Sequence, residues 1–211
     1  MFLRGASLSL ACLLAPASAA AQAQPTTVQR PTLQAGLTRT YDTSDGVYVD
    51  KLLEEPTQDP DCKLAPCSKW RGTSPKRTTY VYRDADHNMY KRTDMNDKVV
   101  YQSTERGLRF PLTIGDSWTS TFVNTNGTPV DEKITVVRWT RLRVLGTDYQ
   151  ALHLHGDGKR GYNRQSPRIE GTTYSTDYYY VPELGVVAKL DYTSGTQGVA
   201  DYHSVLTKIE K

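Results

Sequence analysis

The sequence predicts an all-β fold: a mainly antiparallel, curved sheet forming a half-barrel or a small barrel, with little helix. Three observations predict it. No window of helical length repeats apolar residues at three-four spacing. From about Thr78 onward, apolar and aromatic residues alternate with polar ones instead, which is the period of a half-buried strand. Gly, Asn, Asp and Pro punctuate the chain at short intervals as turn signals. About eight to ten strands are expected, curled or closed so that few edges stay open.

The elements follow in chain order. Residues 1–21 carry one charge, Arg4, then an apolar run from Leu8 to Ala15, Pro16 and the small residues "ASAAA". That pattern is a secretory signal peptide with cleavage after Ala19 or Ala21. Lipidation at Cys12 is the rival reading; Ser9 stands where such signals want Leu, and the small-residue site lies beyond the cysteine. The apolar run is too short to span a bilayer, and no later stretch is long and apolar enough, so no transmembrane segment is expected in the mature chain. Residues 22–40 are polar and Pro-containing, a flexible lead-in. Residues 41–211 are expected to form a single β domain of the usual size. Within it, a strand is expected at Val47–Val49, a short helical turn at Asp50–Glu55, and a long loop at 56–77 holding four prolines and both remaining cysteines. Cys62 and Cys67, five apart in an exported chain, most simply form one local disulfide.

Beyond the loop the strands crowd together. "TTYVY" and "MYKRT" flank a turn at Asp84–Asn88, and "DKVVYQS" follows. Gly115-Asp116 turns the chain before Trp118, and Asn126-Gly127 is a strong hairpin signal (Asn126 also heads a glycosylation sequon). "EKITVVRWTRLRVL" is a long strand whose apolar phase changes near Arg138, as a β-bulge or sharp bend would require. Gly146 turns it into "DYQALHLH". Residues 156–171 read as a flexible, basic loop, and a last strand runs from about Ala200 to Ile209.

Alternation assigns faces. Leu152 and Leu154 oppose Tyr149, Ala151, His153 and His155; Val186, Ala188, Leu190 and Tyr192 oppose Val187, Lys189, Asp191 and Thr193. In "YSTDYYYVP", Thr176, Tyr178 and Tyr180 share one face, and Asp177, Tyr179 and Val181 the other. The consecutive tyrosines cannot make one wall. Ordinary sheet packing accounts for them, since the ring packs on a pleated surface while the hydroxyl reaches water. The sharper reading has Tyr178 and Tyr180 lining a concave ligand surface.

"LRFPLTIGDSW", "RVLGTDYQALHLH" and "YYYVPELGVVAKLDY", in that order, resemble a pattern recurring in uncharacterised exported bacterial proteins. The resemblance covers about residues 100–195 and departs by one residue at Gly146-Thr147-Asp148-Tyr149. Such proteins look similar to the curved antiparallel half-barrels of periplasmic lipoprotein carriers. The resemblance implies a groove for an apolar or amphipathic ligand.

Candidate chemistry is sparse. The formal charge of +3, which falls to +2 once Arg4 is removed, lacks the concentrated Lys and Arg of a nucleic-acid footprint. His153 and His155 share a strand face and could share a metal with His203 or Asp157; solvent-facing histidines are the plainer reading. "DADHN" (84–88) begins like a calcium loop, but Met89 and Met95 stand where Gly and a bidentate Glu belong. Trp139, Arg141 and Arg143, with Lys159, Arg160, Arg164 and Arg168, could meet an anionic partner, against the plainer reading of a solvated face. There is no G-x-S-x-G, no H-E-x-x-H and no P-loop. The expectation is an exported, non-enzymatic protein without cofactor. It binds an amphipathic ligand or lipid on the curved sheet, with Tyr178 and Tyr180 in the wall and Arg141, Arg143 or the 156–171 loop at the polar end. The alternatives are an envelope assembly factor that binds protein through sheet edges, and a metal-dependent enzyme built on His153 and His155.

Overall fold

A computed structural model describes residues 24–32, 35–57, 59–102, 107–123, 127–163 and 170–211. The predicted signal peptide, Cys12, Asn126, Arg164 and Arg168 lie outside the described residues. Among the described residues there is no helix.

The described residues form fourteen strands: β1 (Thr27–Val28), β2 (Thr38–Thr43), β3 (Tyr48–Thr57), β4 (Cys67–Thr73), β5 (Thr78–Arg83), β6 (Met89–Thr93), β7 (Val99–Gln102), β8 (Leu112–Thr113), β9 (Ser117–Val123), β10 (Pro129–Val144), β11 (Thr147–Arg160), β12 (Thr173–Val181), β13 (Val186–Ser194) and β14 (Tyr202–Glu210). Twelve of them make one antiparallel sheet in the order β7-β6-β5-β4-β3-β2-β14-β13-β12-β11-β10-β9, and β1 pairs with β8 in a separate ribbon. The chain runs outward from β2 to β7, crosses to β9, and returns strand by strand until β14 lies beside β2. The sheet is not closed: β7 and β9 are its edges, so the small-barrel alternative is set aside.

The ribbon covers one face of β10–β13, here the inner face. Val28, Leu108 and Leu112 are buried there against Ile134, Val136, Leu152, Leu154 and Tyr180, with Phe110, Trp118, Trp139, Tyr178 and Val187 packed around them. A second cluster joins Val144, Ala151, Val181, Val186, Ala188 and Leu206, and a third Leu37, Leu52, Trp70 and Val81.

The bulge expected near Arg138 is present. The β10–β11 register shifts between Val136 and Arg138, so Val136 pairs with Leu154 and Trp139 with Leu152, both toward the ribbon. Leu145 (φ 53°) and Gly146 (φ 74°) form the two-residue turn, whose positive φ values match the twist of the flanking strands. Cys62 and Cys67 are joined as a disulfide.

Several expectations are corrected. The lead-in is tied down: Val28 is buried in the β1–β8 ribbon, Leu37 is buried, and β2 already begins at Thr38. Asp50–Glu55 is strand, because β3 pairs on both sides with β2 and β4 and its backbone groups are satisfied between strands. The 56–77 loop is shorter than expected, since β4 starts at Cys67. The 156–171 loop is likewise shortened. β11 continues to Arg160 because its glycines make room: a Cβ at Gly156 would meet the Glu132 carboxyl, and one at Gly158 the Tyr174 ring. Val186 and Ala188 do not share a face with Leu190 and Tyr192. Tyr179 pairs with Lys189 but Tyr180 with Val187, which leaves Ala188 bulged and puts Val187 on the side of Leu190.

Candidate functional site: a groove on the inner face

Alternation along β12 turns Tyr178 and Tyr180 inward, opposite Leu154 and Leu152 of β11. On the far side of the sheet's middle, Arg39 of β2 lies opposite Asp50 of β3, and Asp50 opposite Gly72 of β4. These surfaces meet. One cavity of about 370 Å³ is lined by Arg39, Tyr41, Tyr48, Arg83, His87, Leu108, Tyr178, Tyr180, Val187, Leu190 and Tyr202, among others. In a flat sheet β5 and β12, six positions apart, would be roughly 29 Å from one another. Arg83 of β5 and Tyr180 of β12 line the same cavity, so the sheet must be strongly curved around its inner face. A second cavity of about 410 Å³, lined by Glu132, Arg160, Tyr174 and Tyr192 among others, shares Tyr178, Leu190 and Tyr202 with the first. Together they form one groove with an aromatic middle and two polar ends.

At the first end, Arg83 donates to Asp50 Oδ2 at 3.0 Å and to the His87 carbonyl at 3.2 Å. Tyr48 donates to Asp50 Oδ1 at 3.4 Å. Arg39 donates to the Gly185 carbonyl at 3.3 Å. Both guanidiniums lie over the ring of the fully buried Trp70, at 4.8 Å for Arg39 and 5.9 Å for Arg83, and the indole N–H goes to Ser68 Oγ at 2.9 Å. Burial, then the fields of Arg39, Arg83 and Arg30, push His87 down to about 3, so its imidazole is neutral at physiological pH. Burial raises the Tyr41 and Tyr180 hydroxyls well above the usual tyrosine range.

At the second end, the Glu132 carboxyl is buried. Burial raises its pKa against hydrogen bonds from Thr176, Tyr178 and Tyr174, with Tyr178 Oη at 3.2 Å. Arg160 lies 5.0 Å over the Tyr174 ring and contacts the Tyr192 hydroxyl.

Not every residue expected at the site is there. Trp139 faces inward but packs beside the core and donates to the Pro25 carbonyl at 3.2 Å. Arg141 and Arg143, with side chains 77 % and 72 % exposed, lie near Asp148 at the turn end of the β10–β11 hairpin, away from the groove. His153 and His155 are on the outer face. Both ring nitrogens, His153 Nε2 and His155 Nδ1, meet one oxygen of Asp177 at 2.7 and 2.8 Å, and Tyr179 stacks on His153 at 5.0 Å. His153, His155 and Asp177 could hold a metal ion. Of the expected third ligands, Asp157 lies 3.4 Å from His155, while His203 bonds Ser44. "DADHN" is a hairpin turn: Asp84 Oδ1 accepts from the backbone N–H of Asp86 and of Asn88, both at 2.9 Å.

Sequence reasoning missed Arg39, Asp50 and Trp70, which fall in stretches read as lead-in, short helical turn and loop, and also Arg83 and His87, which it placed beside and within a hairpin turn without a site role. One signal was present. "TRTYDT" alternates strictly, which places Arg39 and Tyr41 on one strand face.

No family model matches the chain, and no curated protein matches it. Among solved structures it is similar to the hypothetical lipoprotein YmcC from Escherichia coli, at 13 % identity and a TM-score of 0.49 over 84 % of this chain and 86 % of that one. It is also similar to a candidate lipoprotein from Parabacteroides distasonis, at 11 % identity and 0.48 over 89 % of this chain and all of that one. A third is a candidate exported protein with YmcC-like fold from Bacteroides fragilis, at 12 % identity and 0.48 over 88 % of this chain and all of that one.

Proposed function

We propose that the protein is exported and binds an amphipathic small molecule in the inner-face groove, without catalysing a reaction on it. The observation that carries this reading is the sharing of Tyr178, Leu190 and Tyr202 by two adjoining cavities with polar groups at both far ends. Concave, mainly apolar surfaces with a few placed polar groups are how proteins hold small ligands. Tyrosine suits such a wall because its ring gives apolar area and its hydroxyl a polar contact. The signal-peptide pattern of residues 1–21 supports export. Lipid anchoring at Cys12 is the rival to cleavage after Ala19 or Ala21, and the mass of the mature N-terminus separates the two.

The test is solvent extraction of protein purified from its own envelope, followed by mass spectrometry. A stoichiometric amphiphile supports the reading. An empty extract removes it, and one with a co-purifying protein favours strand addition at a sheet edge instead. That second reading has its own observation: β7 is an edge strand with Val99 and Val100 exposed.

A further inference from the structure

Among the described residues, three groups able to donate, on side chains that line the first cavity, have no acceptor. Arg39 Nε, Arg83 Nε and the Tyr180 hydroxyl are all buried without a hydrogen-bond partner, and all three residues line that cavity. Arg39 is 4 % exposed and Tyr180 1 %. Buried donors are normally satisfied, and a buried cation without a counter-charge is costly. The charges around them do not balance either. Asp50 is committed to Arg83 and Tyr48, Arg30 is matched by Asp86 at 2.6 Å, and no carboxylate pairs with Arg39 among the described residues. His87 is neutral and adds no charge.

Resting on the groove reading above, we propose that the amphipathic ligand carries an anionic head, a carboxylate or phosphate monoester, held by Arg39, Arg83 and Tyr180, with its apolar part running along Tyr178 and Leu190. An ionised carboxylate or phosphate only accepts hydrogen bonds, so it complements two guanidinium N–H groups, which only donate, and a tyrosine O–H, which can donate. A cationic head is excluded by the two guanidiniums, and an uncharged hydroxyl head leaves the excess positive charge uncompensated. The Trp70 ring beneath both guanidiniums holds them in place before the ligand arrives, which limits the ordering that binding has to impose.

The experiment is calorimetric titration of the mature protein at fixed ionic strength with octanoate, octyl phosphate, 1-octanol and inorganic phosphate. Octanoate or octyl phosphate binds about tenfold or more tighter than octanol, the scale of a charge-assisted hydrogen bond, and the stronger of the two identifies the head group. Inorganic phosphate binds more weakly than either. Arg39→Met and Tyr180→Phe each weaken the charged probe and leave octanol unchanged. Tyr180→Phe removes a hydroxyl that has no partner in the free protein, so it keeps the test open should Arg39→Met fold poorly. Equal affinity for octanol and octanoate overturns the head-group assignment while the groove reading stands. Inorganic phosphate binding as tightly as octyl phosphate overturns the amphiphile. No binding by any probe removes the groove reading and this inference together.

Discussion

The Arg39 guanidinium lies 4.8 Å from the centroid of the buried Trp70 ring, and it stands opposite Asp50 across β2 and β3. Trp70 therefore does two things: it fills the third core cluster with Leu37, Leu52 and Val81, and it seats the cations of the groove. Trp70→Ala should cost about 3–5 kcal/mol, as large aromatic truncations in cores do. Urea unfolding checks it, and a loss under about 1 kcal/mol would mean that the ring is not packed as described.

Stability on the acid side should carry a signature of His87. Its pKa is depressed from 6.5 to about 3, first by burial and then by Arg39, Arg83 and Arg30. A depressed group contributes stability above its unfolded value, and that contribution is lost as pH falls from 6.5 toward 3. His87→Asn keeps the left-handed backbone at φ 67°, which Asn tolerates, and removes the titration. The variant should lose less Tm than the parent between pH 7 and pH 4; parallel curves would count against a buried, neutral His87.

Glu132 acts in the opposite sense. Burial raises its pKa despite the hydrogen bonds from Thr176, Tyr178 and Tyr174. A raised group stabilises the fold below its unfolded value of 4.5, and that stability is lost as pH rises through the folded value. Glu132→Gln should raise Tm by a few degrees at pH 8 and change little at pH 4. Thermal scans at the two values decide it, and a lower Tm at pH 8 would show that the ionised carboxylate is needed.

On the outer face, hydrogen bonding to Asp177 raises His155 above the usual histidine range, against burial. That stabilisation is present below pH 6.5 and disappears as pH rises through the folded value. With Asp177→Asn, the His155 pKa followed by NMR should fall toward 6.5, and the Tm gap to the parent should be wider at pH 5.5 than at pH 9. An unmoved His155 titration would dissolve the cluster.

The Cys62–Cys67 disulfide packs with Tyr90 of β6, and the segment just before it is tied to the same strand by Lys91, which pairs with Asp59 and with Asp61, the latter at 3.2 Å. Replacing both cysteines with Ser should cost about 2 kcal/mol by the chain-entropy argument. That corresponds to a Tm lower by about 4–8 °C for a domain of this size, and an unchanged Tm would show that Lys91 alone holds the loop.

Local pattern made much of the fold legible in the sequence. The facing of Tyr178 and Tyr180 against Tyr179, the inward Leu152 and Leu154, the phase change at Arg138 and the turn at Gly146 all come from alternation and turn chemistry over a few residues. Where local pattern was mixed, the reading went astray. Asp50–Glu55 has no clean alternation, and it is strand only because β2 and β4 flank it.

By itself, then, the amino-acid order determined the all-β class, the disulfide, and which side chains of β11 and β12 look the same way. The tertiary structure alone decided that β14 lies beside β2, how far the sheet curls, and that Arg39 reaches the carbonyl of Gly185, 146 positions later, on the side of the tyrosines. The physical reason is range. Pleating and turn geometry act between adjacent residues, whereas the groove exists only where β14 closes the long way round and sets two distant meanders side by side.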